Sequence, residues 1–369
     1  MEHSFTPVIK SVLQKHYGEQ TDEIFEKSLL IQYINQKTKS ANRGSKSRAS
    51  FANLYAIYVI IEDYINNHFD TAGGYGKYEG AQYTNLLRRQ RELPFGSRLQ
   101  NHALNNRMNA EFQKFFPTSD INPIIRNLET NRYWINENLL KLKIKSKSTN
   151  IAKAVIEIID KYVEAKQNSF KRFIEQCEIL QDLLPTETTQ IHDFVEGLLA
   201  PNSDARLFEI VSYAILKLYY KEQNIIWGYD MDNLNVEALK LYKTGRTNAN
   251  DGGIDFVMKP LGRFFQVTET LDFKKYFLDI EKIERYPITF VVKTTDAEET
   301  ILEQLKENAV RTYVIESIVD KYMSCIEEII NIPKLIDCFT RVEENKELSD
   351  VLNEILLQSK VEFNYDDEE

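Results

Sequence analysis

The spacing of apolar positions divides this chain into a helical first half and a second half in which helices alternate with strands. In FANLYAIYVIIEDYI, from residue 51, apolar residues recur three and four apart and predict a helix. The same holds for QNHALNNRMNAEFQKFF, which stops at Pro117. From Asn150 a long amphipathic helix is expected to about Leu184, with Ile151, Val155, Ile158, Tyr162 and Val163 on one side, ending before Pro185. The next stretch, PTETTQIHDFVEGLLAPNSD, reads as a linker with one short helix. It places a domain boundary between a mainly helical part, residues 1–200, and a second part, residues 201–369.

The second part has a sharper pattern. DARLFEIVSYAILKLYYKEQ predicts a helix opening at Asp204, with Leu207, Ile210, Val211, Ala214 and Leu218 buried. NIIWGYD is a short strand. GGIDFVM and RFFQVTE are two strands joined by a turn at residues 260–262. LDFKKYFLDIEKIER then predicts a helix, PITFVVK a strand, AEETILEQLKENAV a helix and RTYVIES a strand, and residues 318–358 close the chain with further helices. The fold class expected is α/β (α+β): a helical amino-terminal domain and a mixed sheet flanked by helices.

Composition narrows the field. The chain has 369 residues, 43% of them apolar and 28% charged, which is the balance of a globular protein with more than one core. No apolar run approaches the ~20 residues that span a bilayer, and MEHSFTPVIK lacks the basic-then-apolar start of a secretory signal. A cytoplasmic protein with no membrane partner is expected. Cys177, Cys325 and Cys338 stand far apart without a CxxC, which argues against a disulfide framework or a zinc knuckle.

The net charge of −10 is unevenly spread. Residues 1–150 carry 21 Lys and Arg against 14 Asp and Glu, and the remainder carries 25 against 42. A basic amino-terminal part on an acidic chain suggests a polyanion partner, with unevenly distributed solvated charge as the alternative. Lys37, Lys39, Arg43, Lys46 and Arg48 lie in the polar arm QKTKSANRGSKSRAS and are candidates for phosphate contacts. Arg88, Arg89, Arg91 and Arg98, near Tyr83, Asn101 and Asn105, are side chains of the kind that pair with guanine and adenine edges. Helix-surface charge with partners four residues away is the other reading.

The candidate chemistry lies in residues 248–270, NANDGGIDFVMKPLGRFFQVTET. Strand alternation points Ile254, Phe256 and Met258 one way and Asp255 and Val257 the other, while Phe264, Gln266 and Thr268 share a face of the partner strand. A hairpin turning at 260–262 can therefore set Asp255 near Gln266 and Thr268. A carboxylate grouped with amide and carbonyl oxygens suits a hard cation such as Mg²⁺. The paired glycines before Asp255 would let a phosphate approach closely; the alternative is a plain turn followed by a solvent-facing aspartate. Competing motifs are poor: NHALNN around His102 is superficially similar to a His-Asn nuclease motif, but apolar helical spacing surrounds it and favours a structural or DNA-contacting residue. The five histidines form neither HExxH nor H-x-E…CxxC, there is no P-loop, and GGYGKYEG lacks the strand–helix context of a dinucleotide site.

A helix carrying Glu209, a hairpin bearing GGID and Q-x-T, then helix, strand, helix and strand: this order resembles the core of PD-(D/E)xK nucleases, over roughly residues 204–316. GGID followed by glutamine is similar to the Mrr-type variant and to several type II restriction endonucleases, in which glutamine replaces the second acid. The resemblance implies that Asp255 is the metal-binding aspartate, Gln266 the second acidic position, the carbonyl of Val267 a backbone metal ligand and Glu209 the acid of the first helix. Thr268 stands where the family has lysine. A neutral hydroxyl cannot supply that charge, so Lys243, Lys274 or Lys275 is expected to substitute, or Glu269 to serve as base or ligand, or the site to be weakened. The activity implied is that of a sequence-specific type II restriction endonuclease. It would hydrolyse phosphodiester bonds of double-stranded DNA with Mg²⁺, as a homodimer, with the helical domain, by a looser likeness, recognising the DNA. Two readings of other classes stay open: a non-catalytic DNA-binding or regulatory protein with a decayed nuclease site, and a mainly helical interaction protein.

Overall fold

The computed structural model describes residues 2–39, 47–97, 99–145, 147–183, 188–244, 254–313 and 315–363, the side chains of 47–49 and 363 excepted. The chain forms two compact units, Met1–Phe173 and Ile174–Glu369. The division lies earlier than the boundary expected near residue 200, and inside the long helix rather than after it.

In the first unit the helices are α1 (Thr6–Tyr17), α2 (Thr21–Lys27), α3 (Leu29–Thr38), α4 (Ser47–Asn66), α5 (Tyr83–Glu92), α6 (Met108–Phe115) and the start of α7 (Ala152–Asp182). At their core lies α4, whose Leu54, Ile57, Ile60 and Ile61 are all but fully buried. That burial is what the apolar spacing from residue 51 demands. Small sheets supplement the helices. Strands β1 (Ala81–Gln82), β2 (Ile124–Asn127) and β3 (Arg132–Ile135) pair in the order β1-β3-β2, and β4 (Lys141–Ile144) pairs with β5 (Lys147–Asn150). The lysines of KLKIKSK alternate outward on this last hairpin while Ile144 is buried, the two-residue period of a half-buried strand.

The second unit holds α8 (Thr188–Leu199), α9 (Ala205–Lys221), β6 (Asn224–Gly228), β7 (Leu234–Ala238), β8 (Lys240–Lys243), β9 (Phe256–Lys259), β10 (Arg263–Thr268), α10 (Phe273–Lys282), β11 (Ile288–Val292), α11 (Glu298–Thr312), α12 (Glu316–Met323), β12 (Ile326–Ile330), α13 (Ile332–Glu344) and α14 (Leu348–Phe363). Five strands form a mixed sheet in the order β12-β11-β10-β9-β8; β8, β9 and β10 are antiparallel, and β10, β11 and β12 parallel. Helices cover both faces. On one, α9 sets Tyr213 5.2 Å from Phe256 and Tyr220 6.1 Å from Phe265. On the other, α10 sets Tyr276 4.4 Å from Phe290. As expected, Asp204 caps α9, its carboxylate accepting from the backbone of Arg206 at 2.8 Å.

Two expectations are corrected. RTYVIES is not a strand: Arg311 and Thr312 end α11, whose buried Ile301, Leu305 and Ala309 carry the helical period through, and Glu316 and Ser317 open α12. The strand beside β11 is IEEII, β12, within residues 318–358 that were expected to be helical. Its two glutamates disguise it. Both are held by Arg263, Glu327 at 3.4 Å and Glu328 more closely, and Lys334 also pairs with Glu328. NIIWGYD supplies the expected strand, β6, which forms a two-stranded ribbon with β7. The one short helix expected between residues 185 and 204 is α8, with Ile191, Val195 and Leu199 fully buried.

Candidate active site

The β9–β10 hairpin positions the first two groups. Its register pairs Met258 with Arg263, Val257 with Phe264 and Phe256 with Phe265, and an unbroken ladder would next set Asp255 opposite Gln266. Directly opposed residues of an antiparallel pair share a face. The ladder bends at this step. The N–H of Asp255 donates to the carbonyl of Phe265 at 2.9 Å, so Asp255 and Phe256 both meet Phe265, as in a β-bulge. Beyond the bend, the N–H and C=O of Val267 point toward the side β9 has vacated, since both groups of one strand residue face the same neighbour.

Two side chains fill that gap. A carboxylate oxygen of Asp255 accepts from the N–H of Val267 at 2.7 Å, and the amide of Gln266 donates to the C=O of Val267 at 3.2 Å. The carbonyl fixes the orientation of that amide, because only its NH₂ can donate. The other end is then stranded: Oε1 of Gln266 is buried without a hydrogen-bond partner. A buried acceptor left unmet costs about 1–3 kcal/mol. The residue is 8% exposed, so water does little to relieve it. Asp255, Gln266 and the Val267 carbonyl are therefore brought together. Gly252 and Gly253 lie outside the described residues.

A lysine does reach Thr268. The parallel register pairs Gln266 with Phe290 and Thr268 with Val292, so Gln266 and Thr268 share the face covered by α10. From α10, the ammonium of Lys275 donates to the Thr268 hydroxyl at 3.1 Å. Thr268 is 2% exposed and also accepts from the backbone of Thr270 at 3.3 Å. Its hydroxyl is a holder for a cation, not a group presented to solvent. Lys274, one residue earlier, is exposed, with its ammonium 6.0 Å from the Phe273 ring. Lys243 pairs with Glu209 at 3.0 Å, both side chains about nine-tenths buried. The registers put Lys243 with Phe256 and Phe265, on the face away from Gln266 and Thr268. Glu209 thus serves as counter-ion to Lys243, and of the three candidate lysines Lys275 is the one held at Thr268.

Glu269 is ion-paired at 2.9 Å with Lys293, a residue the sequence reading passed over. The Lys293 side chain is only 2% exposed; it also donates to the carbonyl of Ser203, and its backbone N–H donates to the carbonyl of Thr268 at 2.9 Å. The available signal was a lysine directly after the apolar run ITFVV. The pair ties the end of β10 to β11 and commits Glu269 to a cation.

Among the described residues, no group of three or more His, Cys, Asp or Glu is placed to hold a metal ion. The donor set is instead one carboxylate, one stranded amide oxygen and one backbone carbonyl, all hard oxygens. That set fits Mg²⁺, which takes one or two carboxylates and keeps waters for its remaining positions. Comparisons with family models, with curated proteins and with solved structures found no match.

The candidate DNA contacts divide. Lys37 is bound to Glu111 at 2.5 Å with a side chain 10% exposed, so it is not on a free arm. Arg89 makes a two-pronged pair with Glu62, both contacts 2.8 Å. Asn105 accepts from the Tyr133 hydroxyl at 3.1 Å and is half-buried, as is Asn101. Arg88 and Arg91 are exposed on α5, and Lys39 is exposed at the end of α3. Arg48 lies in the first turn of α4; Arg43, Lys46 and Arg98 lie outside the described residues. No helix among the described residues is long and apolar enough to cross a membrane.

Proposed function

We propose that this chain is a Mg²⁺-dependent nuclease of the PD-(D/E)xK kind, acting on double-stranded DNA as a sequence-specific type II restriction endonuclease and working as a homodimer. One observation carries the reading. Asp255 and Gln266 are fastened to the two polar groups of Val267, and Lys275 brings a cation to Thr268. The order of elements from α9 to β11 supports it too, since it runs helix, antiparallel strands, helix, parallel strand, in agreement with the resemblance.

Each residue has a definable task. Asp255 contributes the negative charge, and the N–H of Val267 orients its carboxylate. Gln266 offers a neutral oxygen where an acid would add a second negative charge, so the site holds a cation less tightly and accepts a phosphate more readily. Bound between these groups, Mg²⁺ supplies positive charge against the phosphate and lowers the pKa of water. Lys275 places an ammonium where negative charge grows on the phosphorus oxygens, and Thr268 holds it there. The exposed Arg88 and Arg91 of α5 suit phosphate contact, whereas Lys37 and Arg89 are already neutralised by acids.

Incubating the full chain with DNA of mixed sequence separates the readings. With Mg²⁺, discrete fragments are expected, and with EDTA intact DNA. A retarded but uncut band at every Mg²⁺ concentration would replace cleavage by a binding role with a decayed site, and neither binding nor cleavage would remove DNA from the account.

A further inference from the structure

The β6–β7 ribbon presents apolar side chains to solvent. Its register pairs Ile226 with Val236 and Gly228 with Leu234, so Ile226, Val236 and Leu234 share one face, where they are 68%, 71% and 49% exposed. At the tip, Tyr229 and Met231 are 96% and 84% exposed. The opposite face is different, with the Trp227 indole N–H donating to the Glu237 carboxylate at 3.3 Å.

The ribbon is built rather than frayed. The carboxylate of Asp230 accepts from the backbone of Asp232 and Asn233 and from the Asn233 side chain, at 2.8–3.0 Å. A Cβ at Gly228 would lie 2.3 Å from the carbonyl of Asn233, so the turn closes only with glycine there. At the foot, Leu239 N–H donates to the carbonyl of Gln223 at 2.8 Å. A two-stranded ribbon has no core of its own, and contiguous apolar exposure of this kind marks a contact surface.

Charge indicates what covers it. The tip bears Asp230 and Asp232, which disfavour nucleic acid and anionic lipid. The foot bears Lys240 and Lys259, directly opposite one another across β8 and β9 and both exposed. Like charges so placed repel, and among the described residues neither is ion-paired. Acidic tip and basic foot complement each other when two ribbons lie antiparallel, over a length of about 17 Å for five strand residues. The aliphatic face is self-complementary, as a twofold contact requires. Five large exposed side chains offer several hundred Å², approaching the ~800 Å² per partner of a standard interface.

We propose that this ribbon joins two copies of the chain about a twofold axis, apolar face on apolar face, with each acidic tip beside the other copy's lysine foot. The inference stands on the surface alone and does not depend on cleavage. Sedimentation equilibrium of the full chain at micromolar concentration is expected to give the dimer mass. Ile226→Glu with Val236→Glu is expected to give the monomer mass with an unchanged circular dichroism spectrum. Asp230→Lys with Asp232→Lys should weaken the dimer about tenfold or more, and Lys240→Glu with Lys259→Glu in that background should restore it. A wild-type monomer at all concentrations overturns the proposal, as does a dimer indifferent to the apolar-face variants. A charge swap that restores nothing overturns the tip-to-foot arrangement.

Discussion

Asp255→Asn is expected to leave the protein folded and able to bind DNA while lowering Mg²⁺-dependent cleavage by on the order of 10³-fold. The substitution is chosen for what it keeps. The asparagine oxygen can still accept from the N–H of Val267, now 2.7 Å from the carboxylate, so the bend at the end of β9 retains its fastening. Only the charge is lost. With Gln266 neutral, Asp255 is the one carboxylate of the set that meets Val267, so nothing nearby in that set replaces it. Single-turnover cleavage, a mobility shift and a thermal melt on the same preparation check the three parts. Cleavage within a few-fold of wild type would mean that Asp255 serves only to cap the strand.

Lys275→Met should cost cleavage on the order of 10²-fold or more, the scale of losing one preorganised charge at a reacting phosphate. It should leave the melt nearly unchanged, because methionine keeps the stem of the side chain and α10 is held by Tyr276, Phe277 and Ile280. The informative variant is the pair Lys275→Ala with Thr268→Lys. It returns a lysine to the strand position the resemblance assigns and vacates the space the original side chain filled. Recovery of at least a tenth of wild-type cleavage is expected, well above Lys275→Ala alone. If the single variant cuts normally, or the pair recovers nothing while still folding and binding DNA, the cation at Thr268 has no part in the reaction.

What the sequence disclosed follows from how local each feature is. That the hairpin sets Asp255 near Gln266 needs only a turn at residues 260–262 and the two-residue period of a strand, both visible in GGIDFVMKPLGRFFQVTET, whereas the bulge that joins Asp255 to Phe265 was not. The order of elements from β9 to α11 was visible for the same reason, whereas β7 and β8, short strands with exposed side chains, were not. The choice between Lys274 and Lys275 was not. The two are adjacent in sequence, and which one turns to the sheet depends on the rotation of α10, set by residues it buries against β11. The partner of a charge is not legible in sequence where it is remote. Lys37 meets Glu111 and Arg89 meets Glu62, each neutralised by an acid from a different helix. β12 was hidden in a similar way, since Glu327 and Glu328 fit a strand only because Arg263 and Lys334 come to meet them.

The central claim is that Asp255, Gln266 and the carbonyl of Val267 hold one cation. Crystals soaked in Mn²⁺ test it directly by anomalous scattering. A peak bounded by those three groups is expected in the wild type and absent from Asp255→Asn. A peak elsewhere, or none at saturating Mn²⁺, contradicts it.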